Sequence, residues 1–413
     1  MLQQLHTQFA IAALLLAPAA ALGGVAQFDN TVPVLDVNGA QVDAHDGMIV
    51  QFDAPHGLYW RYSIEYGNYS EVGHLRSNGG GCANHCGTCG GFRMDHNVSV
   101  WTSPTLESGS WTLVTREALP IASRPVGSYY RPKVVYNPTT TTYVLWVNYA
   151  PGGYGNAGKY LSATSPTPAG PFTIAIADVV MDPWAGNHGD FDLFRDGSGE
   201  GASAYILYTC YCGPGGSSGG TTVSTVLLTP DFLNATTTRS APLANGAGTN
   251  APVWAESPAF FSSGGFYFAL ITHVCCFCRQ GGGVSVFTAE HPLGPWSGEA
   301  YDIGCANGTA VDGCSSSVGE WNVPACGGQG YSWSGAQQNN VFAASTAAGT
   351  LWIWTADRWY SSPDAIKGHD LQHWAPLSWG PPNPKAPFPT APTIQFIGNP
   401  LQWNFTLPSS QDP

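Results

Sequence analysis

A chain of 413 residues has room for one large β domain or two ordinary ones. Only 10% of its residues are charged, against roughly 25% in a typical soluble protein, while Gly (51), Pro (32) and aromatics (12%) are abundant. A formal charge of −13, with just 14 Lys and Arg, excludes a nucleic-acid partner held by its phosphates and offers no basic face to an acidic membrane.

The chain starts with a short apolar run, Phe9 to Ala21, that ends in small residues. It is too short to cross a bilayer as a helix, so residues 1–21 read as a secretory signal cut between 20 and 26; a membrane anchor is the alternative. An extracellular protein follows from that reading. Five N-x-S/T sequons, at Asn68, Asn97, Asn234, Asn307 and Asn404, are compatible with it. In an oxidising compartment the eleven cysteines are expected mostly as disulfides, with one left over because the number is odd. Cys82, Cys86 and Cys89, with His85 among them, match no standard paired zinc spacing, and disulfides are preferred there. Connectivity, including that of Cys275, Cys276 and Cys278, stays open.

Along the chain an aromatic, β-branched segment recurs five times after a turn: "GLYWRYSI" from Gly57, "TTYVLWVN" from Thr141, "SAYILYTC" from Ser203, "GFYFALIT" from Gly265 and "TLWIWTAD" from Thr350. A second segment follows four of them, from Val98, Lys159, Thr222 and Val284; the fifth keeps only "GHDLQHW" near Trp374. Period-2 strands bounded by Gly, Pro and Ser turns and repeated five times predict an all-β, five-bladed propeller over residues 27–380, with about four antiparallel strands per blade. A blade cannot bury its faces alone, so its neighbours must stack on it. Residues 381–413 read as a Pro-rich tail with a closing strand in "TIQFIGNPLQWNFTL".

Upstream of each aromatic segment a polar residue opens a different apolar stretch: Asp46 in "AHDGMIVQF", Arg131 in "YRPKVVY", Asp190 in "GDFDLF", Glu256 in "AESPAFF" and Gln337 in "GAQQNNVF". If these stretches are the innermost strands, the five side chains converge on the mouth of one channel. Three carboxylates sharing a cleft cannot all keep ordinary pKa values. Glycoside hydrolysis uses such a division, with one acid protonated toward the leaving oxygen and another ionised toward water. Capping of turns, or pairing with Arg131 and Arg358, is the plain structural role for any one of the acids.

On "AHDGMI", "RPKVVYN", "GDFDLF", "ESPAFF", "GPW", "GAQQ" and "DRW", in that order from about residue 30 to 377, the chain resembles glycoside hydrolase family 43, a family of five-bladed propellers. The resemblance implies an inverting exo-glycosidase acting on terminal galactose, arabinose or xylose of plant-type polysaccharides. It implies Asp46 as general base, Asp190 as the residue that tunes the acid, and Glu256 as general acid. Asp192, two residues on, is the rival for Asp190. The details look nearest to the galactan-cleaving branch, from which the chain departs in two places. Asp46 stands where that branch has glycine, and Tyr130 stands where it has glutamate. His45, Tyr130, Arg131, Trp254, Gln337 and Arg358 are the expected substrate contacts. Tyr129, Trp333 and Trp359 either stack on sugar or pack between blades. His45 either bonds the base or fixes the turn. His188 and His273 lie near channel motifs. No cofactor is expected; relatives admit a hydrated Ca²⁺ in the channel, although no Ca²⁺-loop pattern occurs here. The expected partner is a poly- or oligosaccharide and the expected state a monomer. The competing readings are a catalytically inactive carbohydrate-binding propeller and a retaining, fructan-type glycosidase.

Overall fold

The computed structural model describes residues 23–54, 57–68, 93–153, 157–181, 186–211, 221–243, 255–273, 284–297, 301–303, 335–382, 388–396 and 401–409. Strand β1 (Gly24–Asp29) precedes five four-stranded antiparallel sheets, each made of consecutive strands. The first blade is β2 (His45–Gln51), β3 (Tyr59–Ile64), β4 (Val98–Ser103) and β5 (Thr112–Thr115). The second is β6 (Gly127–Asn137), β7 (Thr142–Pro151), β8 (Lys159–Ser165) and β9 (Thr173–Ile176). The third is β10 (His188–Asp196), β11 (Ser203–Cys210), β12 (Thr222–Leu228) and β13 (Ala235–Arg239). The fourth is β14 (Ala255–Ser263), β15 (Phe266–His273), β16 (Val284–Ala289) and β17 (Tyr301–Ile303), and the fifth β18 (Gln337–Thr346), β19 (Gly349–Arg358), β20 (Leu371–Gly380) and β21 (Thr393–Phe396).

The first strands β2, β6, β10, β14 and β18 contact one another in cyclic order and so form the innermost ring. The recurring aromatic segments are the second strands, as the five-part repeat requires. Period 2 sends alternate residues to opposite faces of each sheet, and every pair of neighbouring blades shares an apolar cluster. Trp146 and Tyr160 of the second blade, for example, pack with Phe191 and Tyr208 of the third. This is the five-bladed propeller that the repeat predicts.

The ends of the fold differ from expectation. The closing strand foreseen beyond residue 380 is two strands with separate jobs. β21 completes the fifth blade, and β22 (Gln402–Leu407) pairs antiparallel with β1, so the fold extends on both sides of 27–380. Phe28 of β1 stacks on Trp403 of β22 at 4.1 Å and packs against Trp374 of β20. The side chain of Asn30 donates to the Trp374 carbonyl and accepts from its amide, both at 2.9 Å. The chain's two ends are thereby tied to the last blade beside the first. Of the eleven cysteines only Cys210, buried at the end of β11, falls among the described residues. The cysteine-cluster readings, and the signal segment, lie outside them.

Trp146 is fully buried between the second and third blades, and its Nε1 donates to the Phe232 carbonyl at 2.7 Å. Trp146→Ala should therefore cost about 3–5 kcal/mol of stability in urea unfolding, by lost transfer and the cavity left behind.

Candidate functional site

Each innermost strand breaks register near its start: between His45 and Met48, Tyr130 and Lys133, His188 and Phe191, Glu256 and Ala259, and Gln338 and Asn340. A bulge re-aims the side chain it carries. In three blades the bulge holds a non-glycine residue in the left-handed region: Asp46 at φ 59°, Arg131 at φ 52° and Ser257 at φ 46°. Such backbone costs on the order of 1–3 kcal/mol per residue and persists where surrounding contacts over-determine it. Gly47 permits the first bulge, because a Cβ there would meet the Tyr62 carbonyl oxygen at 1.7 Å.

The bulges bring Arg131 into contact with all four other blades. Its Nη1 donates to the Gln338 carbonyl at 2.8 Å and to Asn339 Oδ1 at 2.6 Å; its Nη2 donates to Asp190 Oδ2 at 2.9 Å and to Ser257 Oγ at 2.7 Å. Its Nε lies 3.4 Å from Asp46 Oδ1. The side chain is almost wholly buried. Burial alone would lower its pKa, but Asp190 and then Asp46 outweigh it and hold the guanidinium charged.

Asp46 is buried and accepts from the Tyr66 hydroxyl at Oδ2, 2.6 Å. Burial raises its pKa; Arg131 and the Tyr66 hydroxyl oppose this, the Asp357 and Asp190 carboxylates add to it, and the net shift is upward. Tyr66 itself stays a donor, since burial drives its phenol well above the usual range. Asp190 Oδ2 also accepts from the Ser257 hydroxyl at 2.7 Å and amide at 3.2 Å. Glu256, the residue before Ser257, is buried and accepts from the Tyr211 hydroxyl and, at 3.4 Å, from Gln337 Nε2. Gln337 Oε1 in turn accepts from Trp359 Nε1 at 2.8 Å. Thus Asp46, Asp190 and Glu256 come together around Arg131 and its neighbour Ser257.

Behind Asp46 lies a layer that sequence reading did not foresee. Asp357, fully buried, accepts from the Asp46 amide and from Asn339 Nδ2, both at 2.8 Å, and faces His45 Nδ1 at 3.1 Å. Burial would raise the Asp357 carboxyl, but His45 and these amide donors hold it below the usual value. His45 Nε2 faces the Gly368 carbonyl at 3.3 Å. Both ring nitrogens thus meet oxygen acceptors, and only the imidazolium can donate to both. Burial opposes that form, yet Asp357 and then Asp43 raise the pKa of His45. The "DRW" segment marked Asp357 in passing; Tyr66, Asn339, Ser257 and Tyr211 gave no signal of their own.

Asp190 and Asp192 have different partners. Asp192 lies 3.3 Å from Lys133 Nζ and accepts from the amides of Leu193 and Phe260, at 3.0 and 2.9 Å, so its oxygens are engaged away from Ser257 and Glu256. Two expected substrate contacts lie elsewhere: His45 is fully buried with both ring nitrogens engaged, and Arg358 is on the other face of the blade. Arg358 donates to the Asn30 carbonyl at 3.0 Å, at the junction of the chain ends. Successive strand residues alternate faces, so with Asp357 turned toward His45 and Asp46, Arg358 points the other way. Tyr130 is half-buried, and Asp46 and Asp190 act on its hydroxyl; burial, first, keeps that phenol protonated. Tyr129 is core, stacked on Tyr149 at 5.4 Å, and Trp359 is buried against His45 and Tyr66. His188 is buried against Tyr160, with its pKa pushed down to about 4 by that burial. Trp254, Trp333 and the side chain of His273 lie outside the described residues. Among the described residues no cluster of three or more His, Cys, Asp or Glu is arranged to hold a metal.

No family model and no curated sequence matches the chain. Its fold is that of solved glycoside hydrolase family 43 enzymes. It is similar to an exo-beta-1,3-galactanase from Phanerochaete chrysosporium, in a structure with beta-1,3-galactotriose (TM-score 0.61, 21% identity, covering 92% of this chain and 69% of that one). It is also similar to an exo-beta-1,3-galactanase from Clostridium thermocellum (TM-score 0.58, 19% identity, 90% and 65%) and to a family 43 beta 1,3 galactosidase (TM-score 0.56, 22% identity, 92% and 63%). The chain therefore spans less than two thirds of the length of the last two.

Arg131→Met would leave the buried Asp46 and the half-buried Asp190 without their shared cation. The expected loss is about 3–5 kcal/mol in denaturant unfolding, the scale for breaking a buried ion pair from one side.

Proposed function

We propose that the protein is a secreted, exo-acting glycoside hydrolase that removes terminal galactose, arabinose or xylose from plant-type polysaccharides with inversion. The observation that carries this reading is the meeting of Asp46 and Asp190, at bulges of two innermost strands, on one buried arginine that also holds Ser257, the neighbour of Glu256. Galactose is the first sugar to test, because the solved neighbours include exo-beta-1,3-galactanases.

In this mechanism Glu256 gives its proton to the leaving oxygen, oriented by Tyr211 and Gln337. Asp46 takes the proton of the attacking water, its second oxygen held by Tyr66. Asp190, clamped by Arg131 and Ser257, is the group that tunes this acid. No cofactor takes part. Secretion, sequon glycosylation, disulfide bonding of most of the cysteines and a monomeric state complete the proposal.

The test is sugar release from arabinogalactan, arabinan, xylan and matching aryl glycosides. Glu256→Gln and Asp46→Asn should each lose at least about 10²- to 10⁴-fold in kcat, the scale for a positioned proton-transfer group. NMR of the first product should show an inverted anomer. A retained anomer would give the fructan-type mechanism, and polymer retention without turnover would leave a binding propeller.

The raised pKa of Asp46 also has a kinetic signature. The base works only when ionised, so kcat/KM should fall as pH drops through a value above that of an ordinary carboxylate. Tyr66→Phe removes a donor that favours the ionised form, so this acid limb should move to higher pH. A limb that stays in place would remove Asp46 from the role of base.

A further inference from the structure

Behind Asp46 stands a pair of opposite charges that is closed to any substrate. His45 and Asp357 are both fully buried, one at the head of β2 in the first blade and the other near the end of β19 in the fifth. His45 Nδ1 lies 3.1 Å from Asp357 Oδ1. The second carboxylate oxygen, Oδ2, accepts from the main-chain amide of Asp46 and the side-chain amide of Asn339, both at 2.8 Å. That main-chain amide belongs to a residue at φ 59°, inside the bulge. Asp357 therefore ties down the strained step that turns the Asp46 carboxyl toward the axis.

The other side of the His45 ring is fixed as well. Nε2 faces the carbonyl of Gly368, in a short 3-10 turn (Lys367–His369), at 3.3 Å. A Cβ on Gly368 would meet Asp43 Oδ2 at 2.6 Å, so this turn lies close against the segment leading to β2. Asp43 Oδ1 stands 3.8 Å from Nε2. Asp370, beyond the turn, also acts on the ring, but Lys367 Nζ holds it at 2.8 Å. Arg61 of β3 acts on both Asp357 and Asp43 and stays cationic, with burial lowering its pKa to about 10. Around Asp46 itself stand Arg131 and Tyr130 of β6, Asp190 of β10 and Tyr66 after β3. Among the described residues no arginine or lysine forms an ion pair with Asp357, so the His45 imidazolium is its counter-ion.

We propose that His45 and Asp357 are a positioning pair for the base: the Asp357 carboxylate, neutralised by the His45 imidazolium, holds the bulge that carries Asp46 and sets the charge behind it. The proposal rests on the glycosidase reading, with Asp46 as base. His45 acts through Asp357, and Asp357 through the Asp46 amide and its own charge; neither touches the sugar.

Removing the two partners should move the base in opposite directions. Asp357→Asn takes away a negative charge and keeps every bond. The new side-chain oxygen accepts from both amides, and the new NH₂ donates to Nδ1 of a neutral His45 that still donates from Nε2 to Gly368. Ionised Asp46 becomes easier to form, so the acid limb of kcat/KM moves to lower pH. His45→Asn leaves the Asp357 charge without its cation, so ionised Asp46 becomes harder to form and the limb moves to higher pH. Each shift should be about one pH unit, the low end for a neighbouring charge. The double variant should follow Asp357→Asn, because the imidazolium acts through that carboxylate.

The experiment is the pH profile of kcat/KM for wild type and these variants on the aryl glycoside that the wild type cleaves. The position of the limb, not the height of the plateau, is the readout. A merely structural role would lower the plateau and leave the limb in place; that result, or shifts of one sign in both single variants, would overturn the proposal and leave the glycosidase reading standing. Asp357→Asn decides the matter alone if His45→Asn does not fold, since its limb must still move down. NMR of protein labelled at the histidine nitrogens gives a second reading. The His45 ring should be an imidazolium at neutral pH, where an ordinary histidine is mostly neutral, and should lose that proton in Asp357→Asn. A neutral His45 in the wild type would also overturn the pair. A wild type that hydrolyses no glycoside would instead sink the glycosidase reading, and with it this role in catalysis.

Discussion

A buried guanidinium must be met on every side, and in this protein Arg131 is met by all four neighbouring blades. An isolated charge at the axis would be prohibitively costly. Two carboxylates, a hydroxyl, an amide oxygen and a main-chain carbonyl therefore have to arrive together. This requirement fixes how the innermost strands are set against one another, and apolar clusters between blades add stability without such directionality. It also explains why strain is tolerated there. Asp46, Arg131 and Ser257 adopt left-handed backbone because the ionic network needs their side chains turned toward the axis.

The same network separates the environments of the carboxylates. Asp46 sits against Asp357 and is only partly compensated, so its pKa rises; Asp357, facing His45 and two amide donors, is lowered. Asp192 is engaged by Lys133 and two main-chain amides. Acids of similar sequence context thus differ by their partners across blades. Division of labour between an acid and a base needs a difference of this kind.

The channel and the junction of the chain ends are connected through a few residues. Gln372 and Arg61 both donate to the carbonyl of Ala44, next to His45. Trp374 packs on Phe28 at that junction, and its ring lies under the Arg61 guanidinium. The ribbon of β1 and β22 therefore packs across the seam between the fifth blade and the first.

Much of the architecture was legible in the residue order, because period-2 strands and their turns are local and repeat. Five aromatic segments were enough for five blades, and the polar residue at the head of each inner stretch was enough to expect convergence at the axis. Asp46, Asp190, Glu256, Arg131 and Gln337 do meet there. The roles of Tyr66, Asn339, Asp357 and Tyr211 were decided by tertiary structure, since each acts on a partner distant in sequence or across a bulge that shifts the strand's phase. Arg358 was misread for the same reason: one step along a strand reverses the face, and only the pairing of β19 shows which residue looks inward. The closing strand foreseen in the tail is there, but its partners were not legible because pairing is a long-range choice. Nothing local in "TIQFIGNPLQWNFTL" says that its first half joins the fifth blade and its second half joins a strand nearly four hundred residues earlier.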